Sequence, residues 1–344
     1  MRLLISAAEP SGDRLAAELI TALSARTDVD ARGVAGPLMR AAGVTPVARM
    51  EDIAVMGLVE VLRNLGPIRA ASAAMSAEIE AGADLILGVD APDFNLPLAR
   101  KARAKGIPAV GYVSPQIWVW RKGRAKKISA GLDQLLCLFA FEPELYPDLD
   151  ARWVGHPVID RLPRPVQAQP HLYGLLPGSR RQELSRMLPP FLETARLLHA
   201  REPRSRFRLV LPSALHDGLP PLPGFVTVMD GGAAALSGCR AALTKSGTIT
   251  LELAVMGIPQ IVAHRVHPLT YWVGRMVITG VNHIALPNIL AGGEVVPEYV
   301  QRFTPQILAD ALIDLPGHQP VDLSALGGAG ASQRAAEAIL SRWK

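Results

Sequence analysis

The chain changes character at Leu175-Leu176-Pro177-Gly178-Ser179-Arg180-Arg181-Gln182-Glu183-Leu184, where an apolar run meets a Pro-Gly turn and then a polar, helix-favouring run. This pattern predicts a strand, a turn and a helix capped by the Ser179 hydroxyl alone, because Glu183 stands one residue too far for a capping box. Free backbone N–H groups, a helix dipole and two arginines then converge on one point. They predict an anion site, with a diphosphate as the best-fitting anion. The alternative is an ordinary turn whose arginines face water, since Walker and Rossmann glycine spacings are absent.

Composition predicts a compact protein with two cores. The 344 residues are 49% hydrophobic and 19% charged, which allows two domains of ordinary size. Cys137 and Cys239 are too few for a disulfide framework, as expected in a reducing cytoplasm. No signal peptide is recognisable, and the most apolar run, at residues 250–263, is shorter than the roughly 18 residues of a membrane span. We therefore expect a soluble chain, and its net charge of +5 suits an anionic partner.

Strand-like runs alternate with helical patterns almost throughout, which predicts parallel α/β layers. Open sheets of this kind bind ligands at the carboxyl ends of their strands. The loop predicted at residues 8–13 follows the first strand, so Glu9 and Asp13 are candidates for substrate contact. Acidic residues also cap helices for purely structural reasons, and this is the alternative.

Two further carboxylates, Asp90 and Asp93, follow the strand predicted at residues 84–89. A carboxylate pair at the end of a buried strand suits proton abstraction. The structural alternative is that Asp93 caps the helix predicted over residues 94–105. Capping and catalysis do not exclude each other.

Two features of the first half predict contact with a lipid or a phosphorylated molecule. Apolar residues crowd the segment 52–75, which is either a core helix or a groove for a lipid chain. Five cations lie between Arg121 and Lys127, after the two tryptophans Trp118 and Trp120. Such a run is either a solvated helix face or a surface for a phosphorylated substrate or an anionic membrane. Nucleic acid is not predicted, because no base-stacking platform accompanies the cations.

The second half repeats the strand-turn-helix pattern at Ser246, Gly247 and Thr248, which predict a second anion-binding helix end. Glu252, one turn further, can accept hydrogen bonds from a ribose diol. Two anion-binding helix N-termini in one domain favour a nucleoside diphosphate, rather than a single phosphate, as the ligand.

No metal site is predicted. His264 and His267 lie three residues apart and His283 further on, but no carboxylate completes a ligand set. For His156 a structural role at an interdomain hinge is preferred to a ligand role.

These signals divide the chain into four parts. Residues 1–156 form a predicted N-terminal domain and residues 157–170, which are rich in proline, a linker. Residues 171–328 form a second domain, and residues 329–344 a closing helix.

Eight motifs together resemble the lipid-A-disaccharide synthase family and occur in its order over nearly the whole chain. They are AEPSGD at 8–13, GVDAPDFN at 88–95, YVSPQIWVWR at 112–121, VGHPVID at 154–160, LPGSRRQE at 176–183, SGTITLE at 246–252, LPNILA at 286–291 and VPE at 296–298. The chain departs from the family at Ala7-Ala8, which is usually Ala-Gly, and at Lys245, where a small residue is usual. No charged position of the motifs is changed.

The resemblance implies an α/β fold with two Rossmann-like domains facing across a cleft, the GT-B glycosyltransferase arrangement. It implies an inverting transfer of 2,3-diacylglucosamine from UDP-2,3-diacylglucosamine to the 6-hydroxyl of 2,3-diacylglucosamine 1-phosphate. The donor binds mainly to the second domain and the acceptor to the first, without a metal or other cofactor. The closing helix packs back on the first domain. The resemblance also implies a cytoplasmic enzyme held peripherally at the inner membrane of a Gram-negative bacterium, and a homodimer is compatible with it.

The same resemblance implies roles for individual residues. The catalytic base is Asp93, with Asp90 as its rival. The UDP-sugar contacts are Ser179, Arg180, Ser246, Gly247, Thr248, Glu252 and Asn288. The acceptor or cleft residues are Glu9, Ser11, Asp13, Trp118 and Arg121.

Two other functions remain open at this point. A UDP-sugar epimerase has the same architecture, but needs neither the apolar segment 52–75 nor the cationic run. A catalytically inactive UDP-sugar or lipid-binding homologue is disfavoured, because Asp90, Asp93 and Arg180 are intact. A dehydrogenase is disfavoured because no Gly-x-Gly-x-x-Gly follows a strand.

Overall fold

The computed structural model describes residues 1–53, 65–117, 122–163, 165–265 and 283–343. The chain forms two compact units. The first comprises Met1–Asp160 and Ser324–Lys344, and the second comprises Arg161–Leu323.

The first unit is built on a parallel sheet with strand order β3-β2-β1-β4-β5-β6-β7. An interior strand of this sheet, β1, carries Leu3, Leu4 and Ile5, all fully buried, as expected where helices cover both faces of a parallel sheet. The strands are β1 (Arg2–Ala7), β2 (Asp30–Ala35), β3 (Thr45–Arg49), β4 (Leu85–Val89), β5 (Ala109–Tyr112), β6 (Gln134–Cys137) and β7 (Asp150–Trp153).

Helices connect these strands. They are α1 (Pro10–Ser24), α2 (Pro37–Ala41), α3 (Leu65–Glu80), α4 (Pro92–Ala104), α5 (Ala125–Ser129) and α6 (Val158–Arg161), whose last residue already belongs to the second unit. The helix α1 begins at Pro10, within the predicted loop 8–13, because proline suits the first helical position. For the same reason α4 begins at Pro92, ahead of its predicted start at residue 94.

The second unit has a parallel sheet of order β10-β9-β8-β11-β12-β13. Its strands are β8 (Gln169–Leu176), β9 (Arg206–Val210), β10 (Val226–Met229), β11 (Cys239–Thr244), β12 (Gln260–His264) and β13 (Glu298–Val300). Its helices after α6 are α7 (Arg181–Arg201), α8 (Ile249–Val255), α9 (Leu286–Ala291) and α10 (Pro305–Asp314). A cluster of buried side chains from α7, α10 and the strands, including Phe191, Phe207 and Leu308, forms the core.

Each sheet reverses its strand order once, between β1 and β4 in the first unit and between β8 and β11 in the second. A crevice for ligands opens at the carboxyl ends of strands where the order reverses. The loops that follow these four strands contain most of the predicted site residues. The predicted class, α/β with two Rossmann-like parallel-sheet domains, is confirmed.

The closing helix α11 (Ala331–Arg342) packs against α1 in the first unit. Arg334 fixes its start by donating from Nε to the Val154 carbonyl at 2.8 Å and from Nη2 to the Gly328 carbonyl at 2.8 Å. The helix α6 lies inside the stretch predicted as a linker, and the chain re-enters the first unit at Ser324.

In the part of the chain that the structure describes, no helix combines the length and the apolar character needed to cross a bilayer. Cys137 and Cys239 are both free and buried.

Candidate functional site

The Pro-Gly turn after β8 places Gly178 at φ 124°, a conformation that favours glycine. The helix α7 then has Arg180 as its N-cap residue, and no side chain of the described residues caps it. The predicted capping by the Ser179 hydroxyl is therefore wrong. Ser179 and Arg180 both lie exposed at the start of the helix.

Glu183 holds the turn before the helix, and sequence reasoning assigned it no site role. Its Oε2 accepts a hydrogen bond from the Ser179 backbone N–H at 3.1 Å. Its Oε1 accepts from Arg180 Nη1 at 3.1 Å and from Lys245 Nζ at 2.9 Å. Burial opposes ionisation of Glu183, but Lys245, Arg180 and the Ser179 N–H together outweigh it and lower its pKa. The Glu183 carboxylate thus lies against the turn and holds Arg180 and Lys245 beside it.

Gly178→Ala is expected to lower the free energy of unfolding by about 1–3 kcal/mol, because the residue would be strained and crowded. A Cβ at Gly178 would lie 2.6 Å from Glu183 Oε2 and 2.7 Å from the Glu183 Cβ. Denaturant unfolding of both proteins measures the difference.

Gly292→Ala is the matched control. Gly292 also has a positive φ, of 65°, but no described atom lies within 4 Å of its Cβ position. That substitution is expected to cost only about 1 kcal/mol. An equal loss in the two variants would contradict the crowding by Glu183.

The loop after β11 lies beside this turn, because the Lys245 backbone N–H donates to the Leu176 carbonyl at 2.9 Å. Thr248 is the N-cap residue of α8, without a side-chain cap among the described residues. The Ser246 hydroxyl donates to the Ile284 carbonyl at 2.7 Å, which fixes its position. Gly247 and Thr248 are exposed.

Glu252 and Asn288, also predicted to contact the UDP-sugar, are held by the protein itself. Glu252 Oε1 accepts from Arg161 Nη2 at 2.9 Å, and its proposed ribose contact stays a prediction. Asn288 is buried, and its Nδ2 donates to the Val296 carbonyl and to Glu298 Oε1, both at 2.7 Å. Its Oδ1 accepts from the backbone N–H groups of Val295 and Val296, both at 2.8 Å. Its hydrogen-bonding capacity is therefore used in holding the loop before β13. A ligand contact is not available to its side chain in this structure.

His264 ends β12, on the other side of β11. Burial, and then the charge of Lys245, lower its pKa to about 4, although Glu183 acts in the opposite direction. The imidazole is therefore neutral at neutral pH. Within the described ranges no three His, Cys, Asp or Glu side chains are grouped to hold a metal ion.

In the first unit, the strand β4 ends in strained backbone at Asp90 and Ala91, whose φ angles are 52° and 42°. Asn95 stabilises this turn through its Nδ2, which donates to the Asp90 carbonyl at 2.7 Å and to the Val89 carbonyl at 3.2 Å. Strained residues of this kind persist where the surroundings determine the conformation, and they cluster at functional sites. The β-branched Val113, at the end of the neighbouring strand β5, has φ 79°.

Asp90 and Val113 border one small cavity of about 20 Å³, roughly the space of one water molecule, near the carboxyl edge of the sheet. Ser6, Asp90, Asn95 and Val113 line it, in front of apolar side chains from β4, β5 and α4. Burial raises the pKa of Asp90, although a hydrogen bond from the Ala91 backbone acts against the shift. Asp90 is thus a carboxylate of increased basicity beside a cavity.

Asp93 lies in a different environment. Its side chain is 81% exposed, in the first turn of α4, and its Oδ1 accepts from Arg124 Nη2 at 2.6 Å. The N-cap position of α4 belongs to Ala91, so the structural alternative, capping by Asp93, is wrong. Asp90 and Asp93 differ clearly in burial and in partners.

Of the predicted acceptor residues in the first loop, Asp13 has a structural role. It is buried, and its two oxygens accept the backbone N–H groups of Leu38 and Met39, both at 3.0 Å, at the start of α2. The acceptor contact predicted for Asp13 is therefore not available in this structure. Glu9 is the partly exposed N-cap residue of α1, and Ser11 is exposed in its first turn. Trp118, Arg121 and residues 54–64 of the apolar segment lie outside the described residues.

His156 has the structural role predicted for it, since its Nδ1 accepts from the Val158 N–H at 3.1 Å and its ring is buried. Lys126 and Lys127 of the cationic run are exposed on α5.

Solved structures share the fold of this chain. Acinetobacter baumannii MurG matches with a TM-score of 0.53 at 15% identity, covering 99% of each chain. The UDP-GlcNAc 2-epimerase of Neisseria meningitidis bound to UDP-GlcNAc matches with a TM-score of 0.63 at 13% identity, over 99% of this chain and 100% of that one. The glycotransferase of kitacinnamycin matches with a TM-score of 0.60 at 18% identity, over 100% and 99%. The fold is that of the GT-B glycosyltransferases.

Relatives in sequence define the family. Residues 3–314 match the family model described as lipid-A-disaccharide synthetase. Lipid-A-disaccharide synthase from Azotobacter vinelandii is 40% identical, over 99% of this chain and 97% of its own length. The enzyme from Geobacter metallireducens is 38% identical, over 98% and 96%. The chain belongs to the lipid-A-disaccharide synthase family and is a glycosyltransferase.

Proposed function

We propose that this glycosyltransferase transfers 2,3-diacylglucosamine from UDP-2,3-diacylglucosamine to 2,3-diacylglucosamine 1-phosphate with inversion at C1. The products are the β-1,6-linked disaccharide 1-phosphate and UDP. The observation that carries the proposal is the match of the family over residues 3–314, which includes every motif of both strand-order reversals.

The donor site proposed in the second unit lies at the reversal between β8 and β11. Arg180 and the backbone at Ser179 supply a cation and a helix start on one side of it. Ser246, Gly247 and Thr248 follow the adjacent strand on the other side, and Glu252 follows one turn later. A preorganised donor such as the Arg180 guanidinium stabilises the negative charge that develops on a leaving diphosphate. The Ser246 hydroxyl and the Ser179 N–H are not counted among these donors, because they donate to the Ile284 carbonyl and to Glu183. We propose that UDP leaves from here without a metal ion.

The catalytic base proposed in the first unit is a carboxylate of the Asp90–Asp93 pair. Sequence reasoning preferred Asp93, but the structure gives better support to Asp90. Asp90 has a raised pKa and lines the cavity, whereas Asp93 is exposed and paired with Arg124. A base whose pKa lies closer to the working pH takes up a proton more effectively. As the acceptor O6 bonds to C1, Asp90 takes the hydroxyl proton, and the C1–O bond to UDP breaks with its electron pair on the diphosphate.

Incubation of the purified protein with both substrates tests the proposal. Mass spectrometry is expected to show a disaccharide 1-phosphate, with UDP released in equal amount and no reaction when the acceptor is omitted. Consumption or isomerisation of the donor in the absence of acceptor would instead support an epimerase.

We further propose that the protein binds the cytoplasmic face of the inner membrane peripherally. Both proposed substrates carry acyl chains, and Lys126 and Lys127 form an exposed cationic pair on α5. Each cation at an anionic surface contributes about 1 kcal/mol, and salt screens this attraction.

Lys126→Glu combined with Lys127→Glu is therefore expected to weaken sedimentation with vesicles that contain anionic phospholipid, and added salt is expected to weaken it in the wild type. The control is Arg196→Glu combined with Arg201→Glu, which changes the net charge equally at two exposed residues of α7. If neither added salt nor the double lysine substitution changed vesicle binding, the cationic run at residues 121–127 would be only a solvated face.

A further inference from the structure

We propose that Lys245 binds the diphosphate of the sugar nucleotide, as a second cation beside Arg180. The inference rests on the donor site proposed above and adds a residue that sequence reasoning left without a role.

The position of Lys245 is the first argument. It follows β11 directly, and its backbone N–H donates to the Leu176 carbonyl, so it lies across the strand-order reversal from the Pro-Gly turn. Its Nζ and the Arg180 Nη1 both contact Glu183 Oε1, at 2.9 Å and 3.1 Å. Two cationic groups that share one carboxylate oxygen lie side by side. Two cations side by side can each bind one of the neighbouring phosphates of a diphosphate.

The charge of the cluster is the second argument. The charges of Arg180 and Glu183 cancel, so without Lys245 the other two side chains of this cluster carry no net charge. With Lys245 the cluster carries one positive charge. The adjacent His264 adds none at neutral pH, because it is neutral there. The attraction of this cluster for an anion therefore depends on Lys245.

The third argument is that the Lys245 ammonium has hydrogen-bond donors left for a ligand. An ammonium group has three N–H donors, and Lys245 uses one of them among the described residues, toward Glu183. Its side chain is 18% exposed, so the side chain is largely buried but not closed off from solvent. Glu183, at 17% exposure, keeps the long side chain in one position before the ligand arrives. The other N–H groups are then available to phosphate oxygens in charge-assisted hydrogen bonds.

Isothermal titration of the full-length protein with UDP and with uridine tests the proposal. Lys245→Met retains most of the side-chain stem and removes the ammonium. It is expected to weaken UDP binding by about 10–100-fold, as lost hydrogen bonds to a charged group do, and to change uridine binding less than about twofold. Lys245→Arg is expected to restore most of the UDP affinity. The control Arg201→Ala removes one cation at the far end of α7, where Arg201 pairs with Asp310, and is expected to bind UDP as the wild type does.

The outcomes separate this inference from the proposed function. Equal UDP affinity in wild type and Lys245→Met would overturn the role of Lys245 and leave the donor site in place. An equal loss for UDP and uridine would also overturn it, because a phosphate contact cannot affect a ligand without phosphate. Failure of the wild type to bind UDP at all would overturn the proposed donor site itself.

Discussion

Asp90→Asn is expected to lower kcat by about 10²–10⁴-fold, the range that a positioned general base contributes. The amide keeps the shape of the carboxylate and loses its basicity, so UDP binding in the second unit is expected to stay within about twofold of wild type. Steady-state rates of disaccharide formation and titration with UDP measure the two quantities.

The pH dependence gives an independent test of the same residue. Asp90 must be ionised to accept a proton, so activity is lost as the pH falls through its pKa. Since burial raises this pKa, the acid limb of kcat/KM is expected above the ordinary aspartate range of about 3.9. The residual activity of Asp90→Asn is expected to lack this limb.

Asp93→Asn is the matched control, because it makes the same change three residues away. Asp93 is 81% exposed and pairs with Arg124, so its replacement is expected to lower the rate far less than Asp90→Asn. An inactive Asp93→Asn protein with an active Asp90→Asn protein would transfer the role of base to Asp93. Activity in both variants would contradict a carboxylate base.

Arg180→Ala is expected to lower kcat by about 10²–10³-fold, the cost of removing one preorganised donor from a developing negative charge. Turnover by the wild type is expected to continue in the presence of a chelator, because the proposed donor site uses Arg180 and Lys245, and no metal ion, at the leaving diphosphate. Rates with and without EDTA, followed by magnesium addition, measure this independence.

Arg196→Ala is the control for this variant. Arg196 lies in the same helix and forms an i,i+3 ion pair with Glu193, as Arg180 does with Glu183. Arg196→Ala removes one positive charge and one i,i+3 ion pair, as Arg180→Ala does, but at a distance from the turn. It is expected to leave the rate unchanged. Full activity of Arg180→Ala, or turnover that EDTA abolishes and magnesium restores, would contradict the account of the leaving group.

The alternation of strands and helices was predictable because buried parallel strands are continuous apolar runs, such as Leu3–Ile5 in β1. The strands β2, β3 and β13 were not predicted. The strand β2 contains Asp30, Arg32 and Gly33, β3 contains Pro46 and Arg49, and β13 has only three residues, so none of them carries an apolar run. Their pairing with strands distant in sequence decides their conformation, and a local pattern does not contain that information.

The sequence predicts site residues in the segments that follow β1, β4, β8 and β11, but it does not indicate the partners of individual side chains. Asp13 and Asn288 are polar residues in family motifs, yet Asp13 accepts from backbone N–H groups of α2, and Asn288 bonds to the loop before β13 and to the Glu298 carboxylate. The role of Glu183 depends on Lys245, which is distant along the chain and becomes its neighbour only when β8 pairs with β11. The left-handed backbone at Asp90, which distinguishes it from Asp93, has no signal in the sequence, since neither Asp90 nor Ala91 is glycine.

The anomeric configuration of the product tests the central claim most directly. A donor labelled with ¹³C at C1 is incubated with the acceptor and the purified protein, and the C1–H1 coupling of the product is measured by NMR. Direct displacement by a base-activated 6-hydroxyl predicts a β-1,6 linkage from the α-configured donor. An α linkage, or no disaccharide from the two substrates, would contradict it.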